Sequence, residues 1–490
     1  MGRTQSFIHL KPANLQGRFG RTRRWKPVLP TRETDTSNNT DKRFYNDKTM
    51  LKVHLNKFPD LIGHSTSRIN RLYNEDAYSI NILKLPSLAQ KMADRNHLDD
   101  LQRRSELSKD WKRSVLNLSV FDGHGSKGRV SKLLAENLHQ YLVDVVPSRE
   151  EFDRLLQRYC DEIGGNYWQR IYENRNAFYE TFISNCHTKQ ELTGSRMIFD
   201  RWGNIIDKIS LLSESERLRI FYAYLKFDLD HCCGFARSNQ NAGDISFEER
   251  CQKFSGGSTG SSMFISAYDE SMSYEDAFFV DPAGLLKLVI TQVGDTRIVL
   301  CDQNGIAHNL TKPHNASSTR ETRRLDNSDN IIKDSFGEAR FLNNYTNTRS
   351  FGDLPGKPEG LSCEPDIYSY LIGSTLQLPH SELSKMQFGG DECFICLVTD
   401  GVSDLMSDQE LTDLITSTVS LRGLKVATPQ FVADQVIKYV MAIGSRQADN
   451  ATCLVMRLPN WGNWPDVDRT GAQRESKLMT ASLADRTDDF

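Results

Sequence analysis

The sequence predicts an α+β chain. Short apolar runs of strand length are interspersed with amphipathic helical stretches in the order strands, helices, strands, which is not the repeated alternation of a parallel α/β fold. Acidic residues stand at the edges of those strand-like runs. The 490 residues, 38% apolar, can bury one large core or two ordinary domains, and the motifs spread from about residue 60 to 458, so one enlarged domain is the simpler reading.

Glu75 and Asp76 immediately precede the first run, Ala77-Tyr-Ser-Ile-Asn-Ile82. Leu116, Leu118 and Val120 alternate as in a half-buried strand and lead through Phe121 to Asp122, which is expected to end that strand. Residues 83–113 between them are charged and polar. Val130, Leu133, Leu134, Leu138, Tyr141, Leu142 and Val145 recur at helical spacing and predict a helix covering a sheet. Residues 150–250 predict a helical insertion, with Tyr167, Trp168, Ile171, Tyr172, Phe178, Tyr179 and Phe182 on one apolar face and Leu211 to Ile220 continuing it. That face is either a docking surface for a substrate or partner, or an elaboration of the core.

Further along, Leu288-Val-Ile-Thr291 and Arg297-Ile-Val-Leu300 flank Asp295 and predict a hairpin turn there. The run Cys393-Phe-Ile-Cys-Leu-Val398 closes on Asp400, and Asp449 precedes Thr452-Cys-Leu-Val-Met456. Ser407-Asp-Gln-Glu410 is a capping box ahead of Leu411, Leu414 and Ile415, and Thr428-Pro429 opens a second helix that runs to Gly444. The tail after Pro459 is polar and is expected to be mobile.

The acids are Glu75, Asp76, Asp122, Asp295, Asp400 and Asp449; taken one at a time, each Asp-Gly or Gly-Asp pair among them is merely a turn signal. If the strands share one core, however, all six arrive at strand ends, where like charges repel and a buried carboxylate without a partner is costly. A hard divalent cation such as Mg2+ or Mn2+ prefers oxygen ligands and removes that penalty. His124 follows Asp122 by two residues and can act as a proton donor or stand as an ordinary turn histidine. Arg71 offers a planar fork suited to phosphate, or to an ion pair with the adjacent acids. There is no Cys-x5-Arg loop of the cysteine-based phosphatases.

Nine pieces in order carry a resemblance: Arg71 to Asp76, Phe121-Asp-Gly-His-Gly-Ser126, Ser255-Gly-Gly-Ser-Thr259, Gly294-Asp-Thr-Arg297, Glu321-Thr-Arg-Arg324, Thr348-Arg-Ser-Phe-Gly-Asp353, Glu364-Pro-Asp366, Thr399-Asp-Gly-Val402 and Ala448-Asp-Asn-Ala-Thr452. Together they resemble the metal-dependent protein serine/threonine phosphatases of the PP2C (PPM) type, most like fungal mitochondrial members through Gly63 to Leu72 and the basic N-terminus. The resemblance implies an α-β-β-α sandwich of two mainly antiparallel sheets flanked by helices, with metals at one edge. It implies two Mg2+ or Mn2+ ions sharing Asp122, with Asp400 and Asp449 completing the first site, Glu75 or Asp76 and the Gly123 carbonyl serving the second, and Asp295 with Asp400 holding a weaker third. Water is then the nucleophile, His124 the general acid, and Arg71 the phosphate-binding residue. Glu321, Arg324 and Asp353 read better as structural ion pairs and turns. Pro313 before His314, Ser403 after Asp-Gly and Ala451 after Asp-Asn depart from the family pattern and bear on substrate-side packing. Phosphoprotein substrates follow, with the pyruvate dehydrogenase complex a candidate by resemblance. The alternatives are a catalytically inactive relative that binds a partner and a hydrolase of a different phosphate ester.

The net charge of -3 argues against a general nucleic-acid binder, and no run of about eighteen apolar residues predicts a membrane span. The ten cysteines lack the spacing of a disulfide scaffold; Cys393 and Cys396 lie in an apolar run and read as core. The first 32 residues hold eight Lys or Arg and no Asp or Glu, a transit-peptide composition that points to mitochondria, matrix or intermembrane space. Met1-Gly2-Arg-Thr-Gln-Ser6 offers the competing reading of an N-myristoyl anchor on a cytoplasmic protein. The expected organisation is a targeting segment and linker at 1–50, a monomeric phosphatase domain at 51–458 and a tail at 459–490.

Overall fold

The alternation at Leu116, Leu118 and Val120 is realised in a strand whose one face meets a second sheet and whose other face meets helices. In chain order the strands are β1 (Phe7–Leu10), β2 (Leu51–His54), β3 (Ile62–Ser67), β4 (Ala77–Pro86), β5 (Lys112–His124), β6 (Ile198–Phe199), β7 (Ile205–Asp207), β8 (Gly257–Ala267), β9 (Leu285–Val293), β10 (Arg297–Cys301), β11 (Ala307–Asn309), β12 (Ile331–Lys333), β13 (Ala339–Phe341), β14 (Phe351–Gly352), β15 (Asp366–Gly373), β16 (Phe394–Val398) and β17 (Ala451–Arg457). The helices are α1 (Arg129–Tyr141), α2 (Arg149–Arg158), α3 (Asn166–Glu173), α4 (Arg175–Ile183), α5 (Glu214–Phe227), α6 (Phe247–Lys253), α7 (Thr319–Leu325), α8 (Asp400–Ser403), α9 (Asp408–Arg422), α10 (Pro429–Ile443) and α11 (Gly471–Thr487).

This computed structural model describes residues 6–10, 51–86, 112–142, 147–183, 198–199, 205–207, 211–212, 214–236, 245–268, 277–325, 330–333, 337, 339–376, 378, 383–384 and 386–487. The basic segment beyond Leu10, the linker at 33–50, Val145, residues 87–111 of the polar stretch and the Phe182 side chain lie outside the described residues. Among the described residues no helix is long and apolar enough to cross a membrane.

One sheet runs β15-β9-β8-β5-β4, with β14 beside β8, and the other runs β11-β10-β16-β17-β3; the pairings in both are antiparallel. Leu116, Leu118 and Val120 of β5 share a buried cluster with Ile298 of β10, Leu397 of β16 and Leu454 of β17, and that cluster is the core between the sheets. Val115 and Phe121, on the opposite face of β5, pack against α1 and α5, while Val398 and Val455 pack against α9 and α10. The chain is therefore the expected α+β sandwich, two antiparallel sheets between helix layers. Cys396 and Cys453 fill that second helix–sheet layer as small apolar residues.

The helix starts follow the sequence. Ser407 Oγ accepts from Glu410 N at 3.2 Å while Glu410 Oε2 accepts from Ser407 N at 2.7 Å, and Thr428 Oγ1 accepts from Phe431 N at 3.2 Å. Trp168, Tyr159 and Phe152 of the 150–250 stretch are fully buried, and α5 within it lies on the six-stranded sheet, where Tyr224 Oη and Thr291 Oγ1 are 2.6 Å apart.

Three expectations are corrected. β5 does not end at Asp122 but continues to His124, because Gly123 and His124 keep pairing with Ser258 and Gly257. Asp295 does not sit in a hairpin: β9 belongs to one sheet and β10 to the other, so the turn at Gly294 (φ 93°) carries the chain across the sandwich. The tail is packed. Trp461 and Trp464 meet Phe394 edge to face at 5.5 and 5.6 Å, Tyr439 Oη donates to Arg474 O at 3.1 Å, and Lys477 Nζ lies 2.8 Å from Glu410. Its few anchors are spread through a polar stretch, so composition alone hides them. At the other end, β1 pairs with β2 and buries Ile8 and Leu10 in the core between the sheets.

Candidate metal centre

Three connections deliver acids to one edge of the sandwich. Asp122 comes from β5, opposite Thr259 of β8, and Ser258 Oγ donates to its carbonyl at 2.8 Å. Asp295 comes from the crossing between sheets; a Cβ on the preceding Gly294 would fall 2.3 Å from Thr259 Cβ, so only glycine allows that approach. Asp400 is the first residue of α8, directly after β16 and Thr399. Carboxylate oxygens of Asp122, Asp295 and Asp400 all lie within 4.8 Å of one another.

The electrostatics of the group are those of crowded, partly buried acids. Burial, then Asp400 and Asp76, push the Asp122 carboxyl well above the usual range. Burial, then Asp295, push Asp400 up to about 8. Asp76 is pushed up to about 6, chiefly by burial, although Thr452 and Thr399 hydroxyls donate to its Oδ2 at 2.7 and 2.9 Å. Asp76 Oδ1, Asp295 Oδ1 and Asp400 Oδ1 are buried without a hydrogen-bond partner. A donor set made only of hard oxygens, mutually repelling and partly orphaned, fits Mg2+ or Mn2+.

The remaining expected residues surround this group. Glu75 Oε1 accepts from Gly128 N at 3.0 Å, and the Glu75 carbonyl closes on Gly123, where a Cβ would lie 2.4 Å from that oxygen. Asp449 is outside the three-acid group; its Oδ2 is 2.8 Å from Arg71 Nη2, and both side chains are about half exposed. His124 projects from the end of β5, with Nε2 2.8 Å from Asp353 Oδ2 and 2.9 Å from Oδ1. Burial opposes the charge on its imidazole, but Asp353 outweighs this and raises the His124 pKa above the ordinary histidine value.

Asp353, expected from its motif as a structural ion pair and turn, pairs with His124. It adopts a left-handed conformation (φ 49°), and its Oδ2 accepts from Ser350 Oγ at 2.5 Å. Asn450 was not singled out in the sequence: its Oδ1 accepts from Glu75 N at 2.8 Å and its Nδ2 donates to Tyr73 O at 2.9 Å, tying the Arg71–Asp76 loop to β17. Both belong to matched motifs, and that was their only signal. Glu321 and Arg324 do form a buried structural network. Despite burial, Arg349 and Arg324 hold Glu321 well below the usual carboxylate range, and Arg349 reaches Asp366 at 3.2 Å. His314 joins this network to the site: its Nδ1 accepts from Gly294 N at 2.9 Å, and its Nε2 lies 3.1 Å from Asp366 Oδ2.

Residues 194–449, just over half of the chain, match the family Protein phosphatase 2C. Protein phosphatase 2C homolog 4 of Schizosaccharomyces pombe is 26% identical over 414 residues, covering 84% of this chain and 83% of its own. A Xenopus laevis protein named Protein phosphatase 1K, mitochondrial, is 29% identical over 178 residues, 36% of this chain and 41% of its own. A phosphatase structure from Toxoplasma gondii covers 81% of this chain and 92% of its own at 14% identity and a TM-score of 0.44, too loose a likeness to bear on the argument. The chain belongs to the protein phosphatase 2C family. It is accordingly a serine/threonine protein phosphatase, a hydrolase of phosphoproteins from a family that depends on Mg2+ or Mn2+.

Proposed function

We propose that the chain hydrolyses phosphoserine and phosphothreonine at a binuclear Mg2+ or Mn2+ centre, with His124 as general acid. The observation that carries this is the group of Asp122, Asp295 and Asp400, with carboxylate oxygens within 4.8 Å and orphaned oxygens on two of them. Asp122, Asp400 and Asp449 would hold one ion, Glu75 or Asp76 with the Gly123 carbonyl the other, and Asp295 with Asp400 a weaker third. When bound, such ions make hydroxide available near neutral pH and neutralise developing charge on phosphate oxygens.

The residues of the chain supply the rest. Arg71, on an exposed loop clamped by Asn450, presents its guanidinium to phosphate oxygens. The Ser or Thr oxygen is a poor leaving group unless it is protonated. Because His124 Nε2 faces Asp353, Nδ1 is the atom left to hand over that proton. Regulation of mitochondrial phosphoproteins is proposed from the eight basic and no acidic residues among the first 32 and from the name of the Xenopus relative.

Turnover of phosphoserine, phosphothreonine and phosphotyrosine peptides with Mn2+ tests the reading. We expect the first two to be hydrolysed. We also expect His124→Ala to slow them by roughly a hundredfold or more beyond its effect on p-nitrophenyl phosphate, whose leaving group needs no proton. Equal losses on peptide and aryl phosphate would remove His124 from that role. Imaging a fusion with and without residues 1–45 tests the location.

A further inference from the structure

We infer that Asp228, from the stretch between β5 and β8, is a positioning residue for the general acid, acting with Lys357 through Asp353. The inference rests on the proposed role of His124 and extends it to the helical layer. Asp228 opens a single π-helical turn, Asp228–Cys232, directly after α5. Its carboxylate is fully buried and pairs with the fully buried Lys357 ammonium at 2.7 Å.

That pair brackets the short segment that ends in Asp353. Asp228 Oδ1 accepts from Gly352 N at 2.7 Å, and Lys357 Nζ donates to Ser350 O at 2.9 Å. Gly352 (φ 70°) and Asp353 (φ 49°) are both left-handed, and Asp353 N donates to Gly256 O at 3.0 Å. Two consecutive left-handed residues, one of them not glycine, hold that shape only when their surroundings fix it. Asp228 and Lys357 supply two of the contacts that fix it. The carboxylate that meets His124 Nε2 at 2.8 Å is thereby aimed from a buried ion pair in the helical layer.

A buried pair can serve stability alone, so the test must separate the two roles. Asp228→Asn/Lys357→Met removes both charges together and leaves no lone buried ion, while Asn keeps an oxygen for Gly352 N–H. In the full chain with Mn2+, the double variant is expected to lose about tenfold more turnover on a phosphoserine peptide than on p-nitrophenyl phosphate. In a His124→Ala background it should add nothing to that ratio. Equal losses on both substrates, or an added effect without His124, would overturn the positioning role. A split in His124→Ala with none in the double variant overturns this inference alone, whereas no split in either overturns the general-acid reading beneath it. Should the double variant not fold, Asp228→Glu, which keeps a carboxylate for Lys357 but shifts it relative to Gly352 N–H, carries the same expectation.

Discussion

Arg71 Nη2 stands 2.8 Å from Asp449 Oδ2 at the rim of the acid group, a cation from the β3–β4 connection meeting an acid from the connection just before β17. The proposed phosphate-binding group and a proposed metal ligand are therefore neighbours before any phosphate arrives. Arg71→Ala should raise KM for a phosphopeptide about tenfold or more, the worth of a charge-assisted bidentate contact, and Arg71→Lys should fall between it and wild type. Steady-state kinetics at saturating Mn2+ checks this, and an unchanged KM would leave Arg71 as a rim ion pair only.

The pH profile follows from Asp353. Its charge favours protonated His124 and raises that pKa, so removing the charge must lower it. The general acid works only when protonated, so Asp353→Asn should move the alkaline limb of kcat on phosphoserine peptides to lower pH relative to wild type. The same limb on p-nitrophenyl phosphate should not follow. A limb that stays in place would separate Asp353 from the proton.

Metal binding should release protons. With Asp400 up at about 8 and Asp76 at about 6, part of the acid group is protonated near pH 7, and a metal takes only the ionised form. Apparent Mn2+ affinity should therefore rise as pH climbs from about 6 to about 8. Calorimetry in buffers of different ionisation enthalpy reads the proton release, and a buffer-independent enthalpy would contradict it.

The aromatic helices should behave as core. Trp168 is buried, stacks on Tyr159 at 4.0 Å between centroids, and donates Nε1–H to Lys357 O at 2.9 Å. Trp168→Ala should cost about 3–5 kcal/mol in denaturant unfolding, as large-to-small substitutions in a packed interior do. A cost below about 1 kcal/mol would instead mark a surface element.

Much of this was legible in sequence because period and capping are local. The alternation at Leu116, Leu118 and Val120 and the capping box at Ser407 required no distant partner, and both occur as read. The gathering of Asp122 and Asp400 was legible through strand-end placement combined with ordered motifs. The turn at Asp295 was misread because two adjacent apolar runs look like a hairpin whether they pair with each other or cross between sheets. Asp353 was named as a structural ion pair but without its partner, and Asn450 was not singled out, because their contacts lie 229 and 375 residues away, to His124 and Glu75, which no local pattern encodes. The packed tail was hidden for the same reason, since Trp461 and Trp464 find Phe394 only in three dimensions.

The most direct test of the shared acid site is metal content read beside activity. Wild-type protein stripped with chelator should regain p-nitrophenyl phosphate hydrolysis only when Mn2+ or Mg2+ is returned, and should bind at least two Mn2+ per chain on a site of this class. Asp122→Asn should lose bound Mn2+ and more than about a hundredfold in turnover. An Asp122→Asn protein that keeps its full complement of ions and the wild-type rate would contradict the account.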